Sequence, residues 1–495
     1  MSVVGWKLVY GGKTPPPGEV VRPGERLSWP RTIGLGAQHV VAMFGATFVF
    51  PVVMGLNPNL AILMSGIATI LFLLIVKGKI PSYLGTSASF VAAVAAIRAQ
   101  GGNSKEVTGS ILIAGAVLIV VGIIVHFAGG GVVQKILPPA VSGAVVMLIG
   151  FNLAPVVAGV YWPQDEWVGF ITMVFLIVAA VIFRGFWSRI AIFLGLMFGY
   201  VLSWVFDHVF GMINSIPAGG KTPTEHFRID WTSVTSADWI GFPQRSVFAA
   251  DGKETIVGWH APSFNVTFIL IVLPALIALI AENAGHVKAV SEMTGDKLDP
   301  YLGRAFIGDG VGTVLASAVG GSPTTTYAEN IGVMAATRVY STAAYWVAAI
   351  VAVLLGFCPK FGAVVSATPG GVLGGITVVL YGMIGLLGAK IWVENRVDFA
   401  NPINLVPLAA GLIAGIGGVA LNFTDTFSIS GIALGAIIVL VFYHFVRPFA
   451  PAHMRQEPQG HGRAYEGGAL ISTGAVETPE GEQSPFHDEF GDDRR

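Results

Sequence analysis

Glu282 and His286 stand four residues apart in Ala281-Glu282-Asn283-Ala284-Gly285-His286, within an otherwise apolar run. On a helix that spacing puts both side chains on one face, a turn apart. Burial penalises the charged form of each, so such a pair can trade a proton near neutral pH; the plainer alternative is a structural ion pair or hydrogen bond. A second acid, Glu329, lies in the stretch from Gly320 to Arg338, GGSPTTTYAENIGVMAATR. Pro323 cannot continue a helix, Thr324 to Thr326 are β-branched, and Asn330-Ile331-Gly332 restarts an apolar run, which predicts an extended segment feeding a short helix. An ionisable group at membrane depth is a functional suspect by default. Irregular backbone survives there only where protein or a cavity covers it, and helix N-termini then aim N–H groups at the gap. Such broken elements near the midplane are where secondary transporters hold substrate.

The elements that must position these groups are membrane spans. Of 495 residues, 54% are hydrophobic and 12% charged, about half the charge fraction of a soluble domain. Mean hydropathy is +0.71. Apolar runs near 34–55, 59–76, 82–99, 109–128, 136–157, 167–184 and 188–210, then 264–290, 304–319, 323–337, 341–357, 367–391, 403–421 and 428–447, predict an all-α polytopic membrane protein with fourteen spans. The polar, Pro/Gly-bearing stretch 211–263 reads as an extramembrane loop, and the tail beyond Arg447 as too poor in apolar residues to fold alone. The first 33 residues are polar and show no cleavable leader, so the first apolar span itself would target the chain. A single cysteine, Cys358, excludes an internal disulfide framework, and the near balance of 28 basic and 29 acidic residues gives no reason to expect nucleic acid as a partner.

Basic residues in the short loops, Lys77, Lys79, Lys135, Arg184, Arg189, Lys288, Lys297, Lys390 and Arg396, orient both termini to the cytoplasm; Arg98, Lys105 and Lys360 fall on the outer side. The halves resemble each other: Pro138-Pro139-Ala140-Val141-Ser142-Gly143 opens the fifth span and Pro369-Gly370-Gly371-Val372-Leu373-Gly374 the twelfth. The third span, from Pro81 to Phe90, is polar and interrupted like Ser322 to Asn330 in the tenth. Odd-numbered repeats must be inverted, so the expectation is a 7+7 inverted repeat whose broken segments 3 and 10 contain extended strand pieces and mark the binding site.

Two midplane glutamates suit neutral cyclic imides and ureides such as uracil, whose N–H groups want strong acceptors and whose carbonyls want donors. Protonating one glutamate would remove a buried charge, which offers a route for coupling a proton to substrate. His39, beside Gln38, is either an interhelical hydrogen-bonding group or a substrate contact. Asn330 and Thr337 are seven apart and could share a face bonding a neighbouring helix. Tyr381, mid-span, is either packing or a lid over the ligand. A membrane enzyme is the contrary reading of Glu282 and His286, but the second histidine of a zinc-protease helix is missing and no cluster completes a metal site, so neither metal nor cofactor is expected beyond a co-transported proton.

Glu329-Asn330-Ile331-Gly332-Val333-Met334-Ala335-Ala336-Thr337-Arg338 resembles the signature of the nucleobase/ascorbate transporter family, also called nucleobase:cation symporter-2. Gln38-His39, Met43-Phe44-Gly45-Ala46-Thr47, Lys79 to Gly85 and Glu282 to His286 look like further family segments in the same order, so the resemblance covers about 30–447. It implies a core domain (34–128 and 264–357), a gate domain (129–210 and 358–447) that also forms a homodimer, an extracytoplasmic loop at 211–263, and cytoplasmic tails at 1–33 and 448–495. Glu282 and Glu329 would hold the base by their side chains, and backbone amides near Ala88 and Ala328 would meet its carbonyls. His286 would join the proton network, Ala46 would line the pocket, Tyr381 would reach in from the gate, and Phe90, Tyr327, Asn330, Thr337 and His39 would lie near the site. Glu at 329 after Thr325-Thr326-Tyr327 looks like bacterial uracil and pyrimidine carriers of the inner membrane. Ala88 stands where uracil carriers commonly have Phe, and Ala328 where some have Gly, so pocket width separates uracil from thymine or xanthine. The implied activity is proton-coupled uracil or pyrimidine uptake, with a xanthine or urate carrier of the same fold, or an anion exchanger, as rivals.

Overall fold

The computed structural model describes residues 5–16, 18–217, 222–250, 253–424 and 427–455. Its principal helices are α1 (Trp29–Val53), α2 (Pro58–Ile75), α3 (Val91–Ala99), α4 (Ser104–Ala128), α5 (Pro139–Phe151), α6 (Glu166–Ile182), α7 (Ala191–Val209), α8 (Ala275–Thr294), α9 (Leu302–Ala318), α10 (Ala328–Thr337), α11 (Thr342–Gly356), α12 (Gly370–Glu394), α13 (Pro402–Ile416) and α14 (Gly431–Ile437). Their starts are written locally. Asn57 caps α2 ahead of Pro58, Asn103 and Glu106 form a reciprocal capping box on α4, Asp165 caps α6, and Ser341 and Asn401 cap α11 and α13.

The helices fall into two packed sets. In one, α1, α2, α4, α9 and α11 lie against one another; in the other, α5, α6, α7, α12, α13 and α14 do. Without water to drive helices together, membrane bundles rely on close backbone approach. Accordingly α4 and α9 meet at Gly115 and Gly310, and α5 and α12 at Gly150 and Gly385, where an added Cβ would strike the opposing helix.

Among the described residues, eight helices are long and apolar enough to cross a bilayer, or nine if the bent pair Thr342–Gly356 and Pro359–Ser366 counts as one. The expected total was fourteen. Several of the remaining apolar runs form shorter helices, Ala88–Ala99, Glu166–Ile182 and Pro402–Ile416 among them. Two runs fall short for a physical reason: part of each is strand. β3 (Leu84–Thr86) and β8 (Thr324–Thr326) each lead into a helix, and they pair antiparallel with Leu84 opposite Thr326, Gly85 opposite Thr325 and Thr86 opposite Thr324.

The polar N-terminal tail and the extramembrane loop both contain regular structure. The N-terminal stretch forms a two-stranded parallel pair, β1 (Lys7–Leu8) with β2 (Glu25–Arg26), and Val21 bridges to Val339. Val21, Leu27 and Val339 bury one another there, and α1 starts at Trp29, ahead of the predicted 34. The connection 211–263 contains β4 (Ile213–Ser215) paired with β5 (Thr224–His226), a short helix at Thr232–Ser236, and β6 (Ser246–Ala250) paired with β7 (Lys253–Val257). Neither stretch shows helical periodicity, because what it buries is a few residues at contacts distant in sequence. The predicted disordered tail lies outside the described residues beyond Arg455.

Candidate functional site

The β3–β8 pair is extended by Tyr327 N donating to Tyr83 O at 3.0 Å and Ser87 N to Pro323 O at 2.9 Å. Its effect is to start two helical segments, at Ala88 and Ala328, inside the protein and on either side of one cavity. First-turn N–H groups have no intrahelical acceptor, so each start presents unspent donors. Strand alternation then sorts the three threonines. Thr324 and Thr326 turn to α8 and α9, while Thr325, on the opposite face, lines the cavity.

The cavity encloses about 320 Å³, within the size range of small-molecule sites. Ala46 and Phe50 of α1 line it, with Ala88, Ser89, Tyr327, Ala328, Glu329 and, from α8, Glu282 and His286. Val146 and Ile149 of α5 and the half of α12 from Leu380 to Glu394 form the opposite wall. It therefore lies between the two helix sets and follows α12 toward its C-terminal end, where Lys390 Nζ stands 3.3 Å from Glu394 Oε1. Near the α12 N-terminal side the sets touch, with Tyr161 Oη donating to Val53 O at 3.4 Å.

Behind the cavity wall runs a buried polar chain. Thr326 Oγ1 donates to Asn283 Oδ1 at 2.6 Å, and Asn283 Nδ2 donates to Asp309 Oδ2. Thr324 Oγ1 donates to Asp309 Oδ1 at 3.4 Å. A hydroxyl has one proton, so Thr326, having given it to Asn283, accepts at 2.7 Å from His286 Nδ1–H. In the neutral form of the ring Nε2 is then the acceptor nitrogen, on a residue that lines the cavity. Glu282 Oε2 accepts from Ser89 Oγ at 3.5 Å, tying α8 to the segment that follows β3.

Six of the residues singled out from sequence, Glu282, Glu329, His286, Ala46, Ala88 and Ala328, meet on the cavity, and Tyr327 joins them. Tyr327 is fixed from both sides: its hydroxyl accepts from Thr47 Oγ1 at 3.0 Å and donates to Thr86 O at 2.9 Å. Gly85 is required beneath it, because a Cβ there would stand 2.4 Å from the ring. The others sit elsewhere. His39 serves as an interhelical acceptor, its carbonyl taking Asn330 Nδ2 at 2.9 Å and its ring packing on Tyr345 at 4.3 Å. Thr337 bonds its own helix at Val333 O rather than a neighbour. Phe90 is wholly buried away from the cavity, and Tyr381 is buried outside the lining while its neighbours Leu380 and Met383 face in. Asp309 is not among the residues the sequence singles out, and Asn283 and Thr326 stand there only as members of a run, with no polar role given to them. Asp309 carries the same signal as Glu329, an acid in an apolar run.

Broken half-helices abutting on a buried carboxylate cavity between two helix sets define a multi-pass membrane transporter. The comparisons agree. Residues 30–424 match the permease family model Xan_ur_permease. The chain is 42% identical over 453 residues to the putative pyrimidine permease RutG of Escherichia coli strain K12, covering 89% of this chain and 96% of that one. It is 35% identical to the uracil permease of Bacillus caldolyticus, covering 86% and 95%, and 32% identical to that of Bacillus subtilis strain 168, covering 88% and 96%. The chain belongs to the nucleobase/ascorbate transporter family, and it is a transporter rather than an enzyme. Solved structures share the fold at low identity: the transmembrane domain of a cyanobacterium bicarbonate transporter, BicA (14% identity, TM-score 0.52, 83% of this chain and 96% of that one), and murine Slc26a9 (11%, 0.56, 85% and 68%).

Proposed function

We propose that this protein carries uracil, or a close pyrimidine, into the cell with a proton, moving its two helix sets alternately to expose the site on each side of the cytoplasmic membrane. The observation that carries this reading is the meeting of Glu282, Glu329 and two helix starts on one cavity. Two carboxylates accept the N–H groups of a cyclic imide, and first-turn N–H groups donate to its carbonyls. His286 Nε2 can receive a proton from the cavity side and relay it to Glu282, one turn away. The set of α1, α2, α4, α9 and α11, with α8 and α10 counted to it, is the core and the set containing α12 the gate; fourteen spans in a 7+7 inverted repeat, both termini in the cytoplasm and a homodimer through the gate complete the picture. On this orientation the cavity opens to the cytoplasm at Lys390 and Glu394.

Labelled uracil uptake into proteoliposomes under an inward proton gradient tests the proposal. Accumulation that a protonophore collapses is the expected result; uptake that depends on sodium and ignores the protonophore would refute proton coupling. The small side chains at Ala88 and Ala328 favour one second reading, a wider pocket that admits a purine such as xanthine, and competition by unlabelled purines separates the two. Chloride currents induced by substrate would point instead to an anion exchanger.

Gly85→Ala offers a sharper check on the pocket. The new methyl must push the Tyr327 ring and break one or both hydroxyl bonds, each worth about 0.5–1.5 kcal/mol. The variant should lose about that much stability, read as a lower thermal midpoint in detergent, and the displaced ring should weaken uracil binding measured by calorimetry.

A further inference from the structure

We propose that residues 211–263 are an extracytoplasmic strap that joins the two helix sets and sets the length of their relative stroke. The proposal rests on the alternating carrier reading above.

One end of the strap is fixed to the set containing α6 and α7. Arg228 Nε donates to Asp165 Oδ2 at 2.7 Å and Arg228 Nη1 to Asp207 Oδ1 at 3.1 Å, with all three side chains nearly buried. The backbone N–H groups of Arg228 and Ile229 also donate to the Asp207 carboxylate, at 3.0 and 3.2 Å, and Ser215 Oγ donates to Gln164 O at 2.6 Å. A paired and hydrogen-bonded buried arginine is costly to pull away, since each carboxylate would be left without its partner.

The other end is fixed to the set containing α2, α4, α9 and α11. Gly241 N donates to Phe357 O at 3.0 Å, Lys360 N to Asp238 O at 2.9 Å, and Asn57 Nδ2 to Gln244 O at 3.0 Å. Farther along, His260 N donates to Val319 O at 3.1 Å and Ser263 N to Lys105 O at 2.9 Å, while the buried His260 ring lies 3.2 Å from Thr108 Oγ1.

Between these anchorages residues 230–237 make no hydrogen bond across to a set among the described residues and are held by packing, with Trp231 edge-on to Tyr200 of α7 at 5.9 Å and Val234 and Ala237 buried, so the joint gives once this packing opens. Their short helix, Thr232–Ser236, is held by hydrogen bonds local to itself: Asp230 accepts from Thr232 N, and Thr235 and Ser236 bond carbonyls one turn back. A cavity of about 990 Å³ lies beside this joint, walled by Trp204, Asp207, Trp231, Thr368 and Pro369, and leaves it room to move. Displacement of one set against the other therefore concentrates in the joint. Uncoiling five residues from about 1.5 to about 3.4 Å each lengthens it by roughly 9 Å, which is the stroke the strap permits before its anchorages are loaded.

Two full-length variants in proteoliposomes test this. Deleting Ser233–Thr235 shortens the joint by a turn; replacing the same three residues by Gly-Gly-Gly keeps its length. The deletion should lower maximal uracil uptake at least tenfold while the uracil Kd stays within twofold, and the glycine variant should transport at the parent rate. Equal uptake by deletion and parent, or a Kd that weakens in step with uptake, overturns the strap. A readout independent of uracil uses spin labels at Lys105→Cys and Trp167→Cys in a Cys358→Ser background. The deletion should narrow the distance distribution between them and the glycine variant should not; identical distributions also overturn the strap. A parent that takes up no uracil, with the deletion still narrowing the distribution, would refute the uracil reading alone.

Discussion

Glu282→Gln and Glu329→Gln should each abolish gradient-driven uracil uptake in proteoliposomes, yet differ in binding. Each substitution keeps the volume of the side chain and one acceptor oxygen, and removes the ability to gain or lose a proton. A carboxylate that binds an N–H group contributes a charge-assisted hydrogen bond, and replacing it by an amide weakens binding by about 1.5–3 kcal/mol, roughly ten- to one-hundred-and-fifty-fold. The variant that loses this much affinity holds the base directly. The variant that binds near the parent level but cannot be driven by protons is the coupling site. Glu282 is the better candidate for coupling, because His286 lies one turn along the same helix and Ser89 already occupies one of its oxygens. Uptake by both variants at the parent rate would remove the carboxylates from the mechanism.

Asp309→Ala should be the most damaging substitution away from the cavity lining. It removes the acceptor of Asn283 Nδ2 and one of two open to Thr324 Oγ1, which keeps Asp309 O at 3.4 Å, at a fully buried position. The orphaned Asn283 donor costs about 1–3 kcal/mol, and the loss passes along Asn283 and Thr326 to the ring of His286. The detergent-solubilised variant should unfold several degrees below the parent, and its uptake should lose the parent's pH dependence as His286 loses its fixed tautomer. Asp309→Asn retains an acceptor and the shape, and should recover most of the stability. A thermal midpoint for Asp309→Ala equal to that of the parent would show that the chain Asp309–Asn283–Thr326–His286 bears no weight.

Much of this site could be read before folding. Glu282 and Glu329 declare themselves because a carboxylate among Ala, Ile and Leu is expensive unless used, and Pro323 followed by three threonines announces a break in a helix by local sterics alone. Asp309 sends the same message from within the apolar run 304–319, but nothing in its neighbourhood points to Asn283. His39 shows the opposite failing. A polar residue in an apolar helix satisfies hydrogen bonding equally by touching a ligand or a neighbouring helix, and only the position of Asn330 against it chooses the second.

Sequence by itself determined the class of protein and the residue types at its centre, because the cost of placing charge, proline or β-branched residues in an apolar helix is paid locally. It could not determine which faces meet. Thr324, Thr325 and Thr326 are identical in type, and the pairing of β8 with a strand some 240 residues earlier fixes the one that lines the cavity and the two that serve Asp309 and Asn283. The burial of Val21 against Val339 and the anchorage of Arg228 between Asp165 and Asp207 are of the same kind. Such contacts join stretches with no periodicity of their own, so their energy exists only once the helices have packed.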